Sequence, residues 1–389
     1  MVQEQPLLEK SDLIKFIDLG KQYLGIKSEV LDAVDNVLST GKVLDGHYVE
    51  SFEKAIARMT NRSYAVAVNS GTQALIFALQ ALETTNKLKN IRNKILIPTI
   101  SFVATLNAVL ETQNTPVFCD VDNQALMDLN SLTEPYNFAS RDRLLDAIMY
   151  VNIFGNTVDY ERFYTSIKFF GGEEIPIIED AAQSLGAKYK GTPSGKLGDI
   201  SILSFDPTKN LPNYGSGGMV LTDDIKEYTV LKDLRDNGKW DDFARSGTNS
   251  KMSELDAAVM LVKLNHFAKW QRRRTDIANY YTQELADYVS VPEITRDCEP
   301  SWHKYVIKDH NRTSLRAHLT LNHIETKIHY DTPLFDYPLG FGFADFKSSH
   351  YTNATLFSRT CLSLPIYPEL TDLEVERIVN AVKTGASRI

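Results

Sequence analysis

The sequence predicts an α/β protein. A large domain on a mainly parallel sheet, with helices on both faces, occupies residues 1–267, and a smaller α+β domain occupies 268–389. Two observations carry this. Short apolar runs rich in β-branched residues alternate with longer stretches of helical periodicity from about residue 60 to 225, as in repeated strand-crossover-strand units. Beyond residue 268 the alternation gives way to short strands mixed with charged helical segments.

Taken in order, strands are predicted at 64–68, 94–97, 116–119, 147–153, 175–178, 200–204 and 218–221, with helices such as 71–82 and 101–111 between them. In folds of this class ligands settle beyond the carboxyl ends of the strands, and the residues there are polar and glycine-rich. A long helix is expected to begin near Ser253. Ser253 and Asp256 have capping-box spacing, and Leu255, Val259 and Val262 recur at helical intervals toward Leu264, near which the domain change is placed. The tail carries a strand at 304–307 and a charged helix after Thr371, and Arg272 to Arg274 read as a solvated helix face.

With 43% hydrophobic residues, 389 residues suffice for a large core. The formal net charge of -8 excludes whole-surface attraction to nucleic acid or anionic membrane. Cys119, Cys298 and Cys361 are too scattered for a disulfide framework, and no Cys or His spacing suggests a metal. The first residues, MVQEQPLLEKSD, lack the character of a signal peptide, and no apolar run reaches a spanning length, so a cytoplasmic protein is expected.

Chemistry concentrates at three places. Lys209 lies in SFDPTKNLPNYGSGG, 204–218. An amine adds to a carbonyl only when unprotonated, and a lysine of ordinary pKa, about 10.4, is almost wholly charged at neutral pH. A reactive lysine therefore needs a buried or tuned setting, whereas an isolated one is ordinarily solvated. Asp180 lies in IIEDAAQ, 177–183, where its carboxylate faces the crevice, either as a cap for the next segment or as a counter-ion. A carboxylate about 4 Å from a cationic ring nitrogen gains roughly 4 kcal/mol at an effective dielectric near 20, before desolvation. In VNSGTQAL, 68–75, the backbone N–H groups of Gly71 and Thr72 and the hydroxyls of Ser70 and Thr72 suit a phosphate, with a plain capped turn as the equal alternative. GSGG, 215–218, is adequately explained as a tight turn.

These segments, together with FIDLGKQY (16–23), IPTISFVATLNAVL (97–110), PVFCDVD (116–122), NSKMSELDAAV (249–259), WHKYVI (302–307) and LSLPIYPELTD (362–372), resemble in order the DegT/DnrJ/EryC1/StrS family of sugar aminotransferases. The resemblance implies a fold-type I enzyme that uses pyridoxal 5'-phosphate, with pyridoxamine phosphate in the half-reaction, and a homodimer with shared active sites. Carried over by position, Lys209 is the Schiff-base lysine and proton carrier, and Asp180 holds the pyridinium nitrogen. Gly71, Thr72 and Ser204 bind the phosphate, joined by Asn249 of the partner subunit. Phe102 stacks on the ring, although by itself it reads as a buried residue of an amphipathic helix, and Gln183 lines the cofactor. His329 and Tyr330 match a pair on the substrate side; for His329 a structural role is the even alternative. The implied reaction transfers the amino group of L-glutamate to a C3 or C4 keto group of a nucleotide-linked deoxyhexose, with dTDP as the expected carrier.

Asp206, where an aromatic is frequent, and Thr248, Lys251 and LRDNG (234–238) depart from the family pattern. Related dehydratases carry histidine at the position of Lys209, which argues against that branch. A regulatory protein that keeps the fold without turnover is the other alternative. A nicotinamide-dependent oxidoreductase lacks its glycine fingerprint in NSGTQAL.

Overall fold

The computed structural model describes residues 12–128, 130, 145–171, 175–343 and 351–386. Residues 1–11, which lack signal-peptide character, lie outside them. Three helices, α1 (Leu19–Gly25), α2 (Lys27–Thr40) and α3 (His47–Met59), precede β1 (Tyr64–Val68), α4 (Gly71–Thr84), β2 (Lys94–Pro98), α5 (Ala104–Glu111) and β3 (Thr115–Cys119). Then come β4 (Ala147–Val151), α6 (Tyr160–Gly171), β5 (Ile177–Asp180), the short β6 (Lys188–Tyr189) and β7 (Thr192–Pro193), β8 (Ile200–Ser204), β9 (Gly218–Thr222) and α7 (Ile225–Arg235). The remainder comprises α8 (Glu254–Leu285), β10 (Cys298–Glu299), β11 (Tyr305–Lys308), α9 (Arg312–Leu321), α10 (Thr352–Thr360), β12 (Cys361–Leu364) and α11 (Asp372–Gly385).

Seven strands form the central sheet in the order β1-β9-β8-β5-β4-β2-β3. From β8 to β3 every pairing is parallel, whereas β9 runs antiparallel to both of its neighbours. The carboxyl ends of β1, β8, β5, β4, β2 and β3 therefore share one edge, and β9 starts there. Because helices cover both faces, the inner strands are largely buried; all five residues of β4 are. One face packs Leu75, Leu79, Ile97 and Ile178 against α4 and α5, and the other packs Phe52, Leu203 and Met260 against α3 and α8.

Four boundaries differ from the expectation in ways that matter for the site. β4 stops at Val151 because Ile153–Gly155 forms a 3-10 turn with Phe154 at φ 59. β5 extends through Asp180, which pairs with Val151 and Ile202 and is thus the last strand residue. Helix α5 begins at Ala104, so Phe102 precedes it and is 53% exposed rather than buried. The long helix, capped by the Ser253 hydroxyl accepting from Asp256 N–H, continues without a break to Leu285. Its Phe267 packs in the large-domain core, whereas Ile277, Tyr281 and Leu285 join Tyr305, Leu364 and Ile378 in a second core. Arg274, expected on a solvated face, is buried and donates to the carbonyl of Ile366 at 2.6 Å. The helix crosses between cores at this point, and that crossing takes its side chain out of solvent. The three cysteines are free, and among the described residues no helix is long and apolar enough to cross a membrane and no acidic, His or Cys cluster would hold a metal.

Candidate active site

The turn after β1 is tied to the segment around Ser250 by the Asn69 N–H, 2.9 Å from Ser250 O. Ser70 is the N-cap of α4, its hydroxyl accepting from Gln73 N–H at 3.1 Å. That hydroxyl is committed to capping, as the plain reading had it. The N–H groups of Gly71 and Thr72, at the positive end of the helix, nevertheless have no acceptor among the described residues. Ser204, the last residue of β8, stands against them: a Cβ on Gly71 would fall 2.7 Å from Ser204 Cβ and 2.8 Å from its Oγ. A Cβ on Gly218 would fall 2.2 Å from Ser70 O and 2.7 Å from Gly71 N. The GSGG run is thus more than a turn, since it lets β9 start directly against the helix end.

Alternation along β5 sends its two acids to opposite faces. Glu179 is fully buried and accepts from Asn152, Ser194, Ser201 and the backbone N–H groups of Gly195 and Leu197, which fastens the strand from below. Asp180 points to the helix side. Its Oδ2 accepts from the Thr105 hydroxyl and its Oδ1 from the Ala182 N–H, each at 3.1 Å, leaving lone pairs toward the crevice. Burial raises its carboxyl above the usual range, and the Ala182 N–H, Lys209 and Thr105 oppose that rise.

Lys209 lies in the loop 205–217 that links β8 to β9. Asp206 organises the turn: Oδ1 accepts from the N–H and hydroxyl of Thr208, at 2.9 and 2.7 Å, and its carbonyl accepts from the Lys209 N–H at 2.9 Å. The charge that departs from the family pattern therefore works as an Asx cap for the lysine turn. Farther along, Asn210 donates to Ser301 O at 2.7 Å, and Lys263 donates to Pro212 O at 2.6 Å. Desolvation holds the Lys209 ammonium below its ordinary value, and the carboxylates of Asp180 and Asp206 pull it partly back. The shift favours the neutral, nucleophilic amine.

On the far side Phe102 exposes its ring 6.4 Å from that of Tyr330. Gln183 is buried; its Oε1 accepts from Phe154 N–H at 3.0 Å and its Nε2 donates to the Tyr330 hydroxyl at 3.3 Å. His329 stacks edge-on to Tyr330 with ring centroids 5.4 Å apart, and its Nδ1 lies 2.8 Å from Ser363 Oγ. Burial and the cations of Lys304, Lys327 and Lys209 lower His329 to about 3, so its imidazole is neutral. Asn249 is apart from these groups: it is exposed, and its side chain makes no hydrogen bond among the described residues. Thr105 and Gly218 are the neighbours that residue-by-residue reading missed. Thr105 was legible only as a hydroxyl on an otherwise apolar stretch, and Gly218 as a glycine opening a strand where a β-branched residue is the norm.

A helix end with free N–H groups and a bare glycine approach suits a phosphate. An exposed aromatic face and a buried carboxylate across from a desolvated lysine suit a flat, cationic heterocycle bearing a carbonyl. The fold and these groups define a pyridoxal phosphate enzyme of fold type I. The chain belongs to the DegT/DnrJ/EryC1/StrS aminotransferase family, whose sequence profile matches residues 25–383. It is 32% identical over 380 residues, 97% of each chain, to the dTDP-3-amino-3,4,6-trideoxy-alpha-D-glucose transaminase of Streptomyces venezuelae. It is 28% identical to the UDP-N-acetyl-3-dehydro-alpha-D-glucosamine 3-aminotransferase of Acidithiobacillus ferrooxidans, over 97% of this chain and 99% of that one. The crystal structure of S. venezuelae DesV with a ketimine intermediate superposes with a TM-score of 0.89 at 32% identity, covering 97% of this chain and 100% of the other. The protein is a pyridoxal phosphate-dependent aminotransferase.

Proposed function

We propose that this aminotransferase moves the amino group of L-glutamate to the keto carbon of a nucleotide-linked deoxyhexose, dTDP-linked by first expectation, to make an amino-deoxysugar nucleotide for polysaccharide or metabolite glycosylation. The observation that supports the reading is that the buried Lys209 and Asp180 act on each other's charge, while the Gly71 and Thr72 N–H groups at the start of α4 have no acceptor among the described residues. C3 is favoured over C4, because both relatives named above are aminotransferases of 3-amino or 3-keto sugars.

Gly71, Thr72 and Ser204 would hold the phosphate, Asp180 the ring nitrogen, and Phe102 and Gln183 the ring. The cofactor supplies an electron sink for the carbon that loses or gains a proton. Asp180, oriented by Thr105 and Ala182, would keep a ring nitrogen held beside it protonated. Lys209 would hold the cofactor between turnovers, and its freed amine would move the proton between the substrate carbon and the cofactor in each half-reaction. Its lowered pKa favours the neutral amine that this exchange needs. Tyr330 and the neutral imidazole of His329 offer hydrogen bonds to an uncharged sugar without placing another cation beside Lys209.

The test is a panel of nucleotide-linked 3-keto and 4-keto sugars supplied with glutamate, with 2-oxoglutarate release and product structure as readouts. Transfer to a 3-keto sugar is expected. Release of 2-oxoglutarate with no keto sugar aminated, but with another carbonyl acceptor used, would move the function elsewhere.

A further inference from the structure

Lys304 is a buried cation that the scheme above leaves unused. It stands at the start of β11 with 7% of its surface exposed, its backbone N–H held by Phe154 O at 3.2 Å. Its Nζ makes no hydrogen bond or ion pair among the described residues. Its neighbour is the face of Phe16, 4.9 Å away, which Lys327 approaches to 5.4 Å. The Phe16 ring lies 5.6 Å from that of His329, and His329 leads to Tyr330, Gln183 and Phe102. Contact by contact, the amine is connected to the crevice that holds Lys209. The fields agree with that path. Lys304 and Lys209 both act on His303 and His329, and Lys209 is the largest charged influence on Lys304.

Burial above all, and then Lys209, Arg274 and Lys327, push the Lys304 ammonium well below its ordinary range. Asp206 is the acid that opposes them, and its Oδ1 already serves Thr208. Lysines are almost never this buried unless paired, and an uncompensated interior charge is costly. The amines of Lys209, Lys304 and Lys327 all act on the one imidazole of His329, and an anion arriving beside it would favour their charged forms. The phosphate is assigned above to Gly71, Thr72 and Ser204, which leaves Lys304 free for another anion.

We propose that Lys304, with Lys327 at the rim, anchors a carboxylate of the substrate in the crevice beside Lys209. The inference rests on the aminotransferase reading. The carboxylate comes either from the donor amino acid or from an acidic substituent on the acceptor sugar, and the two half-reactions separate these sources.

Holoenzyme carrying Lys304→Met and Lys304→Arg is compared with the wild type in three measurements. Glutarate, a dicarboxylate without an amine, is titrated calorimetrically. The glutamate half-reaction is followed by cofactor absorbance, and the return half-reaction is followed with an uncharged and a carboxylated keto sugar. We expect Lys304→Met to weaken glutarate binding and raise the glutamate concentration at half-saturation about tenfold or more, with a much smaller change in limiting rate, and Lys304→Arg to recover most of the loss. A loss confined to the carboxylated sugar assigns the anchor to the acceptor. Unchanged binding of every carboxylate, or an equal loss for charged and uncharged partners, overturns the proposal. If Lys304→Met does not fold, Lys304→Gln is read by the same criteria. Absence of wild-type turnover with glutamate would instead sink the aminotransferase reading, and glutarate binding would still decide the role of Lys304.

Discussion

Asp180 is the residue on which the cofactor chemistry turns, because it is a buried acid whose charge, among the described residues, is held by the Thr105 hydroxyl, the Ala182 N–H and the field of Lys209. A cationic ring nitrogen held there would add a second positive charge. Asp180→Asn keeps the size and the Ala182 and Thr105 contacts but removes the charge, so the ring nitrogen loses its proton. Turnover should fall by up to about a thousandfold, the rate equivalent of roughly 4 kcal/mol. The cofactor should still be fixed on Lys209 by borohydride, and a Thr105→Val enzyme should show a smaller loss in the same direction. Near-wild-type turnover of Asp180→Asn would count against the counter-ion role. Asp180 stood out in the sequence as the polar end of an apolar strand, whereas Lys209, by its own chemistry one lysine among many, stood out only through the ordered motifs around it. The exposure of Phe102 was not legible there, since helical periodicity does not reveal that a helix starts two residues later.

At the scale of elements, the start of β9 and the N-terminus of α4 act as one piece. A methyl group on Gly218 would overlap backbone atoms of Ser70 and Gly71, which have no freedom to move without displacing the helix end. Gly218→Ala should cost about 1–3 kcal/mol of stability, seen as a lower urea midpoint, and should weaken cofactor retention. Gly215→Ala, whose new methyl would meet nothing closer than 3.7 Å, should behave as the wild type in both assays. Glycine spacing alone could not distinguish the two positions, because the clash comes from β1 and α4, far away in sequence. Helix α8 supplies a second device. Lys263 is completely buried, donates to Pro212 O and lies 3.2 Å from the Tyr214 ring centre, and desolvation lowers it to about 7. Between pH 7 and the ordinary lysine value the unfolded chain binds the proton that the fold rejects, so stability contributed by this site rises with pH across that window. Lys263→Met should flatten the rise. Urea midpoints at pH 7 and pH 9 for the two proteins check it, and an identical slope in both would place the proton elsewhere.

For the whole molecule, the telling residue is the one the chain does not use. Asn249 is exposed and its side chain makes no hydrogen bond among the described residues, and it sits on the segment that crosses the end of β1 through the Asn69 to Ser250 hydrogen bond. Near it in sequence, Trp240 and Phe243 are 59% and 70% exposed. A twofold dimer would cover these rings and carry Asn249 to the phosphate corner of the partner, so that each active site takes Lys209 from one chain and Asn249 from the other. Complementation tests this directly. Lys209→Ala and Asn249→Asp subunits, each with little activity alone, are unfolded together and refolded in equal amounts. Random pairing makes about half of the dimers mixed, and each mixed dimer contains one site with both native residues, so about a quarter of wild-type activity per dimer should return. If every site drew both residues from its own chain, mixing would restore nothing, because no chain in the mixture has both.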